Sequence, residues 1–117
     1  MRASSLLILL PVLVLAACDS KDERAYKAAR AGATKSAQQS MGGNTELRWV
    51  VHNQVKGEDI VCAYAASATP PPPGQRPTVE PVIIRAGKTL RASDVGADAF
   101  AKMQDDLCGP DWVKARP

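Results

Sequence analysis

Apolar positions fall into three regimes along this chain. Leu6 to Leu15 is an apolar run interrupted only by Pro11, whereas the apolar residues larger than alanine between positions 19 and 44 are Tyr26 and Met41 alone. Alternation begins at Thr45. Leu47, Trp49 and Val51 point one way and Glu46, Arg48 and His52 the other, which predicts a half-buried strand over Thr45 to Asn53. Asp59 to Ala66 predicts a second strand, with Ile60, Cys62 and Tyr64 on one face and Val61, Ala63 and Ala65 on the other. The intervening Lys56-Gly57-Glu58-Asp59 turn makes the pair an antiparallel hairpin.

Thr69 to Pro77 holds five of the nine prolines. Locked φ angles and missing N–H groups exclude a helix or a central strand there and favour an exposed polyproline II loop. Such segments are ligands of aromatic-grooved domains, but no flanking recognition pattern accompanies this one, so it reads first as a stiff connection. Strand character resumes over Val79 to Arg85, Gly87 turns the chain, and Thr89 to Arg91 adds a short return strand. Asp94 to Leu107 then predicts a helix with Val95, Ala99, Phe100, Met103 and Leu107 on one face. Ser93 or Asp94 caps its start, Gly96 weakens the first turn and Gly109-Pro110 stops it.

The fold expected is α+β, a small antiparallel sheet of three or four strands covered by a C-terminal helix, spanning residues 45–117. Phe100, Met103 and Leu107 should pack on the strand face carrying Leu47, Trp49, Val51, Ile60 and Tyr64. The preceding segment has too few large side chains to offset the entropy of ordering it. A short exposed helix is expected over Asp22 to Ala31, broken by Gly32 and by Gly42-Gly43. Residues 18–44 therefore read as a flexible or partly helical tether whose removal should cost little stability. Fully extended, residues 19–44 would reach on the order of 90 Å.

Composition narrows the class. The first 17 residues hold 13 of the 53 apolar residues, and from Cys18 onward 40 of 100 residues are apolar, 16 of them alanine. That leaves room for one small core and excludes a multidomain enzyme or a polytopic membrane protein. Net charge is +3, and the charges are interspersed, without the basic run that would track nucleic-acid phosphates or form a polybasic membrane patch. No nucleic-acid partner is expected.

Residues 1–17 read as a leader: Arg2 in a short basic region, the apolar run, then Leu15-Ala16-Ala17-Cys18. A helix from Ser4 to Ala17 would be short of the roughly 20 residues needed to span a hydrocarbon core. The segment resembles a bacterial lipoprotein signal peptide, with Leu15 to Cys18 matching the lipobox. The resemblance implies diacylglyceryl transfer to the Cys18 thiol, cleavage before it, and a membrane anchor of two or three acyl chains. Asp19 resembles the sorting residue that withholds lipoproteins from outer-membrane export, which favours the inner membrane over the outer, on the periplasmic side.

With Cys18 acylated, Cys62 and Cys108 remain. In an oxidising compartment an even remainder of two is most simply a disulfide, and a loop of that length would stabilise the domain by roughly 4 kcal/mol. A metal site or redox pair is the alternative, although zinc wants four clustered ligands and a thioredoxin-like pair wants Cys-x-x-Cys. No metal and no cofactor are expected.

Catalytic candidates are few. His52 is the sole histidine, and no serine sits in a Gly-x-Ser-x-Gly setting. Asp105-Asp106 and Glu58-Asp59 are neighbouring carboxylates that point apart on a helix or turn. Trp49 reads as core, while Trp112 fits either core or a binding surface. Asp59-Ile60-Val61-Cys62-Ala63-Tyr64, Pro81-Val82-Ile83-Ile84-Arg85 and the terminal Leu107-Cys108 together resemble a group of small uncharacterised proteobacterial exported proteins. That resemblance implies a compact disulfide-bearing α+β domain and no particular activity. The functional expectation is a non-enzymatic envelope lipoprotein, held in the membrane by its N-terminal lipid and acting through contacts with an envelope protein. The alternative is a periplasmic ligand-binding or hydrolytic domain using a cleft near His52.

Overall fold

The computed structural model describes the backbone of residues 2–112 and the side chains of residues 21–112. Helix α1 (Arg2–Met41) precedes four strands, β1 (Thr45–Val55), β2 (Glu58–Ser67), β3 (Val79–Arg85) and β4 (Lys88–Arg91), and two helices follow, α2 (Ala92–Val95) and α3 (Ala97–Leu107). The strands form one antiparallel sheet in the order β1-β2-β3-β4. The expected α+β architecture is present, with all four strands.

Two tight turns set the meander. Lys56 and Gly57 at one turn, and Ala86 and Gly87 at the other, take positive φ values of 52°, 79°, 49° and 73°. Paired left-handed residues match the right-handed twist of a two-residue hairpin, which is why glycine follows the first residue in each. The β2–β3 connection is the long one and contains the proline run.

Strand β2 lies between β1 and β3 and is buried on both faces. Ile60 and Cys62 join Ile83, Phe100, Cys108 and Trp112 in one cluster, while Val61, Ala63 and Ala65 join Leu47, Val82, Ile84, Ala33 and Ala37 in the other. The sheet therefore has α3 on one face and α1 on the other. Met103 and Leu107 pack with Phe100 against the first cluster as the periodicity predicts, but Val95 and Ala99 are exposed. Gly96, with φ 95°, divides the expected helix into α2 and α3. Asp94 acts at the start of α2, accepting the Arg91 N–H at 2.9 Å.

The tether reading of residues 18–44 needs correction over its second half. Helix α1 runs through Gly32 to Met41, and Ala33, Ser36 and Ala37 are buried against the sheet, with Ala29 and Met41 at the margins. Alanine permits the helix axis to approach the sheet closely. The contact outweighs the roughly 1 kcal/mol that a helical glycine costs, so Gly32 does not end the helix. Polar groups complete the seam: Ser36 Oγ bonds to the Gly87 carbonyl at 3.0 Å and lies 2.9 Å from Thr89 Oγ1, and Gln38 Nε2 donates to the Thr45 carbonyl at 3.2 Å.

Strand β1 also departs from simple alternation. Arg48 pairs with Tyr64 but Val51 pairs with Cys62, so Trp49 and Val50 together oppose Ala63 in a bulge. One extra residue reverses the facing of everything after it. Leu47 and Val50 consequently face α1, whereas Val51 and Val55 face α3. Trp49, expected in the core, has φ 50° and is 40% exposed.

Candidate functional site

Cys62 and Cys108 are joined in a disulfide with their Cα atoms 5.7 Å apart. Both are fully buried, between mid-β2 and the end of α3. The α3 terminus is also held by Asn53, whose Nδ2 donates to the Leu107 carbonyl at 2.8 Å. Gly109 follows at φ 81°, and a side chain there would meet the Asn53 amide at 3.2 Å. Left-handed backbone and close approach both require glycine at that point.

Beside the disulfide lies an aromatic series. Trp112 stacks on Tyr64 at a centroid separation of 5.4 Å and 13° between planes, and Trp49 meets Tyr64 edge-on at 5.6 Å and 87°. Such offset and edge arrangements suit the ring quadrupoles. Trp112, undecided from sequence, is core, at 1% exposure, and its Nε1 has no hydrogen-bond partner among the described residues. Trp49 is the member that reaches solvent.

His52 lies on the α1 side of the sheet, bordering a shallow depression with Asp22, Ala25, Asn53 and Gln54. Its Nε2 is 2.8 Å from Asp59 Oδ1, and the same oxygen accepts from Gln54 Nε2 at 3.0 Å. These two partners, Gln54 first, hold the Asp59 carboxyl below its ordinary value. The bonded hydroxyls belong to other networks: Ser36 with Thr89, Thr34 with the Arg30 carbonyl, and Ser67 and Thr69 with Asn44 at the base of the proline loop. Among the described residues, His52 thus has a carboxylate partner and no hydroxyl or thiol bonded to it. Asp105 and Asp106 are exposed on α3, and Glu58 is paired with Arg85 in a fork of 2.9 and 3.1 Å.

The proline loop is exposed and encloses a depression with Arg48 and Ala66 of the sheet. Every residue from Ser67 to Thr78 is exposed. Asn44 pins its base, donating from Nδ2 to Ser67 Oγ at 2.9 Å and Thr69 Oγ1 at 2.8 Å, while its carbonyl accepts the Ala68 N–H at 2.8 Å. Sequence reading anticipated the loop's exposure and missed this clasp, because nothing about an isolated asparagine 25 residues upstream announces it.

The side chains of the anchoring candidate Cys18 and the sorting candidate Asp19 lie outside the described residues. Among the described residues no helix is long and apolar enough to cross a membrane. No family model, no curated protein and no solved structure matches this chain.

Proposed function

We propose that this chain is a small lipoprotein of the bacterial cell envelope, anchored through acyl chains on Cys18 and acting by protein contact rather than catalysis. The observation that carries this reading is Leu15-Ala16-Ala17-Cys18 closing an apolar run too short to span a bilayer. A disulfide between Cys62 and Cys108 agrees with residence in an oxidising compartment. Asp19 directly after the anchor favours the periplasmic side of the inner membrane.

The contact element in this reading is the proline loop. Its ring-locked backbone has little entropy to lose on binding, and its base is already clasped by Asn44. The alternative, a periplasmic ligand-binding or hydrolytic domain with a cleft near His52, finds less support, because the depression there is shallow and the histidine's partner is a solvent-exposed carboxylate, with no hydroxyl or thiol bonded to the histidine among the described residues.

Metabolic palmitate labelling tests the anchor. The wild-type chain should incorporate label and fractionate with membranes, and Cys18→Ser should lose both properties. Label retained on the Cys18→Ser protein would refute the assignment.

A further inference from the structure

The basic residues of α1 are dispersed in sequence, and packing collects them. Ala33, Ser36 and Ala37 face the sheet. At about 100° per residue, the opposite face carries Lys21, Arg24, Lys27 and Lys35, with Ala28 and Ala31 between them. All six are exposed, over a helical length of about 21 Å. Lys21, Lys27 and Lys35 make no ion pair among the described residues. Of the two nearby anions, Asp22 borders the depression beside His52, and Asp22 and Glu23 both border a second depression with Tyr26 and Lys27.

The other side of the sheet has the opposite charge. Residues 94–111 carry five aspartates against Lys102 alone, all exposed, whereas residues 21–35 carry five cations against two anions. Among the described residues, charge is therefore polarised across the sheet, with α1 positive and α3 negative.

We propose that the outward face of α1 lies on an anionic phospholipid bilayer, with headgroup phosphates against Lys21, Lys27 and Lys35 and with α3 turned away. Two features select this occupant. Charge complementarity attracts α1 to such a surface and repels the aspartates of α3 from it. The stripe also begins three residues after Cys18 on the same helix, about 4.5 Å along its axis, so Lys21 is held within a screening length of roughly 8–10 Å of the bilayer, and Lys27 and Lys35 reach the surface when the helix lies along it. This second argument rests on the anchoring reading, and the first does not. Because the stripe lacks large apolar side chains, adsorption is electrostatic and reversible by salt, without insertion of the helix.

Lysine-reactive footprinting of the full chain, read by mass spectrometry, tests the proposal. The protein is mixed with vesicles of phosphatidylcholine alone or with about one-third phosphatidylglycerol, and flotation records association independently. Lys27 and Lys35 should label about five-fold more slowly on the anionic vesicles. The protection should disappear in about 1 M salt, where the screening length falls to roughly 3 Å, and Lys102 should label equally throughout. In Lys27→Gln/Lys35→Gln, Lys21 should regain its neutral-vesicle rate. A chain that floats with both vesicles but labels identically on both overturns this proposal, and so does protection that extends to Lys102. A chain that fails to float with neutral vesicles counts against the anchoring reading, while α1 protection on anionic vesicles would still uphold the proposal.

Discussion

The two faces of the sheet are closed by different means. The α3 face uses large side chains and a covalent link: Phe100 and Trp112 cover Ile60 and Ile83, and the Cys62–Cys108 disulfide fastens the helix end to β2. The α1 face uses small side chains and length: Ala33 and Ala37 meet Leu47, Val61, Ala63, Ala65, Val82 and Ile84, with Ser36 bonded across to the β3–β4 turn and Thr89. A short helix needs bulk and a crosslink to remain in place, whereas a long one accumulates enough close contact from alanines. Most of the large residues of the second cluster come from the strands, so the helix need only approach closely.

Removing one cover at a time breaks the comparison. Deleting residues 29–41 should have the largest effect, because it uncovers six apolar strand residues at once. The expected outcome is loss of a cooperative thermal transition, and a deletion that melted like the parent would mean that α1 does not cover the sheet. Opening the other face should cost less. Reduction, or Cys62→Ala/Cys108→Ala, should remove roughly 4 kcal/mol by the chain-entropy model, and Phe100→Ala about 3–5 kcal/mol. Urea titrations of the oxidised, reduced and substituted proteins measure both.

Within α1, the helix face decides the result of a single substitution. Ala37 is fully buried and Ala31 is exposed. Ala37→Leu should destabilise by about 1–3 kcal/mol through overpacking, while Ala31→Leu should stay within about 0.5 kcal/mol. Equal melting temperatures for the two would mean that the helix does not press on the sheet.

The smallest effect belongs to Asp59. Its bonds to Gln54 and His52 lower its pKa from an ordinary 3.8, so it stabilises the fold above that value, and the contribution is lost as the pH falls through the lowered pKa. Asp59→Asn should flatten the acid limb of melting temperature against pH and leave the curve above neutrality parallel to the parent's. An unchanged acid limb would show that the His52–Asp59–Gln54 cluster carries no pH-linked stability.

Much of the α3 face was legible in advance. Phe100, Met103 and Leu107 recur at helical spacing, Ile60, Cys62 and Tyr64 at strand spacing, and two cysteines remained once Cys18 was set aside. Those signals are contrasts between large apolar and polar side chains, and they survive without a partner surface. The α1 face offered a weaker one, alanine at positions 25, 29, 33 and 37, every fourth residue. Alanine differs little from its neighbours in hydropathy, so its periodicity gains meaning only against a sheet close enough to touch. At the candidate site, the Cys62–Cys108 pair was legible by counting, whereas the partner of His52 depended on how two strands register.

Sequence alone determined the strand and turn positions, the exposure of the proline loop and the candidate anchor at Cys18, because each depends on local backbone preference or on a short contiguous motif. Tertiary structure decided the rest. The bulge at Trp49 needs a left-handed tryptophan, a conformation that bulky residues rarely adopt, and it occurs beside an edge contact with Tyr64 from the next strand. The cationic stripe on α1 exists only because the alanines opposite it are pressed to the sheet, which turns Lys21, Lys27 and Lys35 outward together. Both features are properties of packing, in which a residue's neighbours in space, rather than along the chain, set which way it faces.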